Sequence, residues 1–109
     1  MLTGLDRAQR LQLLRFVCAS AWADLEIKEG ERAFVERLVK RMDLDDADRR
    51  EVEGWLHVAP PPSDVNPTQV PEEHRRLFFE AARAVLYADG HASDEEQAHL
   101  EELRVAFGL

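Results

Sequence analysis

The chain has 109 residues, with 22 Asp and Glu against 14 Lys and Arg, and so a formal net charge of −8. A chain of this length forms one domain that buries roughly two thirds of its unfolded surface in a single core. Its charge repels a phosphate backbone, so a nucleic-acid partner is not expected. We expect partners of opposite charge instead, namely cations or basic protein surfaces.

Cysteine usage and hydropathy predict the compartment. The single cysteine, Cys18, lies in an apolar stretch and has no partner for an internal disulfide, which favours a reducing environment. The first residues lack the basic patch and apolar run of a signal peptide, and no window approaches the roughly 20 apolar residues that a bilayer requires. The sequence therefore predicts a cytoplasmic protein that is not inserted in a membrane.

Three helices are predicted in the first half of the chain. The segment Thr3–Asp6 has the spacing of a capping box, and the apolar pattern after it predicts a first helix that ends near Asp24. A second apolar stripe predicts a helix over about 28–42. Asp45 or Asp46 can cap a third helix.

A proline-rich segment connects this half to the next. Residues 59–67 include three consecutive prolines, which cannot continue a helix because proline lacks the N–H donor and clashes with the preceding turn. We therefore divide the single domain (1–109) into a first half (1–58), a Pro-rich connection (59–70) and a second half (71–109).

Two further helices are predicted in the second half. Pro71 suits the first position of a fourth helix, and Gly90 ends it because glycine adopts the left-handed conformation most easily. Ser93 and Glu96 have the spacing of a capping box for a fifth helix. No segment alternates like a strand over a useful length. The predicted fold class is all-α, a compact helical bundle of about five main helices.

The two halves repeat one another at an offset of 65 residues, the separation between Asp24 and Asp89. The same offset places Glu31 on Glu96, and both aspartates follow an alanine that is itself preceded by an aromatic residue. Two copies of this length are too few for a solenoid. The repeat predicts two helical hairpins related by a pseudo-two-fold axis.

The repeated Asp and Glu allow two interpretations. In the first, Asp24 and Asp89 accept backbone N–H groups and close helical corners, while Glu96 returns to the cap at Ser93. In the second, Asp24 with Glu31, and Asp89 with Glu96, form oxygen-rich sites for a hard cation such as calcium or magnesium. Neither corner carries the acidic loop of an EF-hand.

The two corners differ in sequence. The second has Gly90 and Ser93, which we interpret as structural corner residues. The first has Leu25 and Lys28 at the equivalent positions, so we expect Glu31 to lack a capping-box partner. If only one corner binds a cation, we expect it to be the second.

Two other site chemistries are less favoured. His91, Glu95 and His99 are spaced by four and could share a zinc ion, but His99 aligns with an apolar residue, which favours a satisfied, half-buried histidine. No nucleophile with an oxyanion pattern and no Gly-rich phosphate loop accompanies the carboxylates. Enzymatic activity is therefore not expected.

The duplicated Ala-Asp and Glu on helical hairpins, with a glycine at the second corner, resemble the tellurite-resistance TerB family and the related domain of DjlA-type co-chaperones. The resemblance covers about 11–109 and implies a cytoplasmic bacterial protein with an acidic surface that binds metal ions. It also implies action in a tellurite or metal-stress response with protein partners, some of them membrane-associated, rather than catalysis. Leu25 departs from the glycine that the resemblance predicts. The matching residues are Asp24, Glu31, Asp89, Gly90 and Glu96.

Two functions remain open on this reasoning. The chain is either a non-enzymatic TerB-like module that binds a divalent cation at its acidic helix corners, or a purely structural protein–protein interaction domain. In the second case the same residues only close the corners, and no metal site exists.

Overall fold

The computed structural model describes residues 5–23, 26–61, 65–88 and 90–109. All regular secondary structure within these ranges is helical, which confirms the predicted all-α class and its five main helices. The helices are α1 (Arg7–Ala21), α2 (Glu29–Arg41), α3 (Asp46–His57), α4 (Glu72–Leu86) and α5 (Asp94–Phe107), and a short 3-10 turn, Pro67–Gln69, precedes α4.

The starts of α1 and α4 correct the sequence prediction. Asp6 caps α1: its carboxylate accepts the N–H of Gln9 at 2.8 Å, and the Gln9 side chain accepts the N–H of Asp6 at 3.0 Å. Thr3, the first residue of the predicted capping box, lies outside the described residues. The described cap of α1 is Asp6, and Gln9 supplies the returning acceptor. Pro71 is the N-cap of α4 rather than its first residue.

Asp45 caps α3, which decides between the two predicted candidates. Its carboxylate accepts the N–H of Asp48 at 2.8 Å. The Asp48 side chain in turn receives two hydrogen bonds from the guanidinium of Arg7, at 2.7 and 2.8 Å. This bidentate pair ties the start of α3 to the start of α1 and lowers the pKa of Asp48.

Helix α1 lies at the centre of the bundle and packs against α2, α3 and α4, while α5 packs on α4. Phe16 of α1 meets Phe78 of α4 edge-on, with ring centroids 5.5 Å apart, and Phe107 of α5 at 5.9 Å. Val70 at the end of the connection is buried, so the connection is anchored in the core. None of the helices in the described ranges is long and apolar enough to cross a bilayer.

The helix bounds follow the 65-residue repeat. Adding 65 to the bounds of α1 gives 72–86, the bounds of α4, and adding 65 to those of α2 gives 94–106, one residue short of α5. Trp22 and Tyr87 are the equivalent C-caps of α1 and α4. The two hairpins therefore match in helix length, and their relation by a two-fold axis stays a prediction.

Candidate functional site

Two fully buried glutamates define the candidate site. Glu31 is the third residue of α2 and Glu96 the third residue of α5, and each is 0% exposed. Glutamate is almost never fully buried unless it is paired, because moving a carboxylate out of water costs a large free energy. The sequence places these residues in two separate corners, whereas the structure brings them together.

Each glutamate is held by the start of its own helix. The N–H of Ser93 donates to Glu96 Oε1 at 2.8 Å, and the N–H of Glu96 donates to Ser93 Oγ at 3.2 Å, which is the predicted capping box. The N–H of Lys28 donates to Glu31 Oε1 at 2.9 Å. The expectation that Glu31 lacks a capping partner is therefore wrong. The glutamate half of a capping box needs only a backbone N–H, which lysine supplies as well as serine.

The carboxyl groups of Glu31 and Glu96 shift each other's pKa, that of Glu31 upward and that of Glu96 downward. The Oε2 atom of each is buried and has no hydrogen-bond partner among the described groups. Two carboxyls buried side by side do not both ionise easily, so opposite shifts of their pKa values leave one proton and one negative charge on the pair at neutral pH.

Of the two carboxyls, Glu31 is the one that holds the proton, because its pKa is raised and that of Glu96 is lowered. Burial, followed by the hydrogen bond with Glu96, raises the pKa of Glu31 to about 8. Burial alone would raise the pKa of Glu96 too, but hydrogen bonds from Glu31, from the backbone of Ser93 and from Lys28 outweigh burial and lower it. At neutral pH Glu31 is a neutral acid and Glu96 an anion.

Lys28 supplies the balancing charge. Its ammonium Nζ lies 3.3 Å from Glu96 Oε1, and its side chain is 28% exposed. Lys28 is the N-cap of α2 and Glu96 belongs to α5, so the ion pair joins the two hairpins. With Glu31 protonated, the cluster of Lys28, Glu31 and Glu96 is electrically neutral.

The two aspartates predicted as ligands, Asp24 and Asp89, lie outside the described residues, as does Leu25. Gly90, which follows Asp89, has φ +104° and an N–H that donates to Tyr87 O at 3.0 Å. A Cβ on Gly90 would meet nothing within 4 Å. Glycine is therefore required there by the backbone conformation and not by lack of space, as expected for a corner residue.

The three side chains considered for zinc do not form a metal site among the described residues. His91 and Glu95 are exposed at the start of α5, and Nε2 of His99 lies 2.9 Å from Oγ of Ser20 on α1. No group of three His, Cys, Asp or Glu side chains in the described part of the chain could hold a metal ion. His99 is the satisfied, half-buried histidine that the sequence favours.

The Ser20–His99 pair is a feature that sequence reasoning missed, because 79 residues separate its members. It lies beside a cavity of about 240 Å³ whose walls include Phe16, Val65 and Leu103. Burial lowers the pKa of His99, so its ring is neutral near neutral pH. A serine and a neutral histidine at this distance have the geometry of a nucleophile and its base.

Burial argues against that chemistry. Ser20 is 1% exposed, so its hydroxyl is closed to a substrate. Cys18, two residues earlier on α1, is 0% exposed, and burial raises the pKa of its thiol to about 12. A reactive thiol needs a lowered pKa and access to solvent, and Cys18 has neither. Ser20 and Cys18 are both packed in the buried face of α1.

Comparisons of the chain with known protein families, with curated proteins and with solved structures find no match. The site is therefore defined by its own contacts. These contacts are the two capping boxes, the carboxyl pair and the Lys28 ion pair.

Proposed function

We propose that the chain is a non-enzymatic, TerB-like module in which the Glu31 and Glu96 carboxyls take up a divalent cation, calcium or magnesium, at the acidic helix corners. Through this site the domain responds to a metal ion and engages protein partners in a bacterial, cytoplasmic tellurite or metal-stress assembly. The resemblance of the repeated residues to the TerB family suggests this setting. The buried carboxyl pair is the observation that carries the proposal.

The geometry of that pair favours a cation. Two carboxyls from different helices face each other without solvent exposure, and each has an Oε2 oxygen that meets no N–H donor among the described groups. Hard divalent cations prefer carboxylate oxygens, and they compete with protons for them. A cation between Glu31 and Glu96 would replace the shared proton and convert both groups to ligands. Backbone carbonyls, waters or the aspartates of the two corners would complete its coordination.

The charge of the chain favours partners rather than nucleic acid or a catalytic cycle. The net charge of −8 attracts basic protein surfaces. The cavity of about 240 Å³ beside Ser20 and His99 has the Ser20 hydroxyl buried, at 1% exposure of the residue. These features support a binding role in preference to an enzymatic one.

A second candidate is a purely structural interaction domain without a metal site. The Lys28 contact favours it, because the ammonium at 3.3 Å from Glu96 already balances the negative charge of the pair. Both Oε1 atoms are also satisfied by backbone N–H groups of the caps. In this case Glu31 and Glu96 only lock two helix starts together.

A titration decides between the two candidates. Calcium, magnesium, manganese and zinc chlorides are added separately to the metal-free protein, and backbone amide shifts are followed by NMR. The titration is repeated with Glu96→Gln and Asp89→Asn, and with Glu95→Gln as the control. Glu95 is exposed and adjacent, so this control removes the same charge without touching the pair.

We expect saturable shifts confined to the starts of α2 and α5. They should be lost in Glu96→Gln and retained in Glu95→Gln. If no ion produces a saturable response in the native chain, the cation function is wrong for it and the structural candidate stands. Equal responses in Glu96→Gln and in the native chain would place the ion elsewhere.

A further inference from the structure

Lys28 occupies the position of a competing cation. The 65-residue repeat aligns it with Ser93, so the second copy has a neutral hydroxyl where the first has an ammonium. Both residues are N-caps and both donate a backbone N–H to the glutamate three residues later. Only the side chains differ, and the lysine side chain turns to Glu96 of the other copy.

The contact between Lys28 and Glu96 hinders the binding of a divalent cation to the carboxyl pair. A divalent cation held by Glu31 and Glu96 needs the Glu96 carboxylate, whose Oε1 atom lies 3.3 Å from the Lys28 ammonium. An ammonium and a metal ion this close repel each other strongly, and more so where the glutamates are fully buried. The ion can therefore enter only if the lysine side chain leaves. Its 28% exposure gives it a route to solvent.

We propose that the Lys28 ammonium is the resident cation of the Glu31–Glu96 pair, and that it sets the affinity of this site for divalent cations because an entering ion must displace it. The inference rests on the proposed cation site and adds the residue that regulates it. The geometry supports the exchange, because an ion that uses Glu96 Oε1 would meet the Lys28 ammonium, which lies 3.3 Å from that oxygen.

The test compares five proteins: the native chain, Lys28→Met, Lys28→Ser, Lys28→Arg and Lys40→Met. Met removes the charge and keeps the length, Ser reproduces the cap of the second copy, and Arg keeps the charge. Lys40 is exposed near the other end of α2, about 18 Å along the helix axis, so Lys40→Met changes the net charge equally at a distance. Manganese chloride is the probe, read by paramagnetic broadening of the amides of 28–31 and 93–96, with magnesium and calcium chlorides by calorimetry.

We expect Lys28→Met and Lys28→Ser to bind manganese at least about tenfold more tightly than the native chain, since a like charge beside the ion is removed. Lys28→Arg and Lys40→Met should bind within about twofold of the native chain, because the charge at the pair is kept. Lys28→Ser guards against a folding artefact, because serine is among the preferred N-cap residues.

The other outcomes separate this inference from the proposed function. Equal affinity in all five proteins overturns the role of Lys28 and leaves the cation site standing. Weaker binding in Lys28→Met and Lys28→Ser also overturns it, because the lysine would then be organising the ligands. Binding by these two variants but not by the native chain supports the inference and shows that the native site is closed. Absence of binding in every protein overturns both proposals.

Discussion

Lys28, at the N-cap of α2, reaches across the bundle to Glu96 at the start of α5, with 3.3 Å between Nζ and Oε1. The contact joins the N-cap residue of one copy of the repeat to the third helical residue of the other, because Lys28 is equivalent to Ser93 and Glu96 is equivalent to Glu31. A lone buried carboxylate would be costly, and a lone half-buried ammonium would be free to move. Together they fix the distance between two helix starts that no turn connects.

The contribution of Glu31 to the stability of the fold should fall as the pH rises above about 4.5. Because the pKa of Glu31 is raised to about 8 in the folded chain from an ordinary value of 4.5, the folded state holds a proton that the unfolded state has released. This contribution is fully present below pH 4.5 and is lost as the pH rises to about 8. Its slope cannot exceed about 1.4 kcal/mol per pH unit for one proton.

The measurement is the free energy of unfolding in urea at intervals from pH 5 to 9, for the native chain and for Glu31→Gln. Glutamine keeps the shape of the protonated acid and has an N–H donor, but it does not titrate. The difference between the two curves isolates Glu31 from all other groups. We expect the native chain to lose stability relative to Glu31→Gln as the pH rises, and parallel curves would contradict the shared proton.

The helix starts were largely predictable, because their signals are local. Ser93 and Glu96 are three residues apart, so a single turn brings their groups together whatever the rest of the chain does. Asp6 and Gln9 have the same spacing, as do Thr3 and Asp6 in the sequence, so spacing alone does not fix which residue caps α1. Local spacing identifies the candidates but does not rank them.

The pairing of Glu31 with Glu96 was not predictable in the same way. The repeat makes the two residues equivalent, yet it does not say whether equivalent positions meet or lie at opposite ends of the molecule. That depends on how α2 and α5 pack, which is a tertiary property. Ser20 and His99 are 79 residues apart in the sequence, and no repeated pattern relates them. Lys28 illustrates the difference: the sequence places it near the start of α2, but it does not show that the side chain contacts Glu96.

Replacing Ser93 by alanine should destabilise the fold by about 1 kcal/mol, because the N–H of Glu96 loses its cap at Ser93 Oγ. Ser93→Thr keeps a hydroxyl and serves as the control, with an expected loss of only a few tenths of a kcal/mol. Urea unfolding of both variants gives the comparison. An equal loss in the two variants would show that the effect comes from packing around residue 93 and not from the cap.

Replacing Gly90 by alanine should cost about 1 kcal/mol or more, because its φ of +104° is strained for any residue with a Cβ. Gly54 offers a matched control within α3, where a Cβ also meets nothing within 4 Å but the backbone is helical. Gly54→Ala should therefore stabilise the fold by about 0.5–1 kcal/mol. The same substitution is expected to change thermal stability in opposite directions at the two sites. A gain at Gly90 would show that the corner relaxes to a negative φ.

Replacing Ser20 by alanine should destabilise the fold by about 1–3 kcal/mol, because Nε2 of His99 loses its 2.9 Å partner in a half-buried setting. Alanine fills the same helical position in α1 and creates almost no cavity, so the loss reports the hydrogen bond. A double-mutant cycle with His99→Phe isolates the contact, since Ser20→Ala should cost far less once the ring nitrogen is gone. A coupling energy near zero would show that the hydroxyl and the imidazole are neighbours without mutual stabilisation. A clear coupling would mean that α1 of the first hairpin and α5 of the second are joined by this bond as well as by the apolar core.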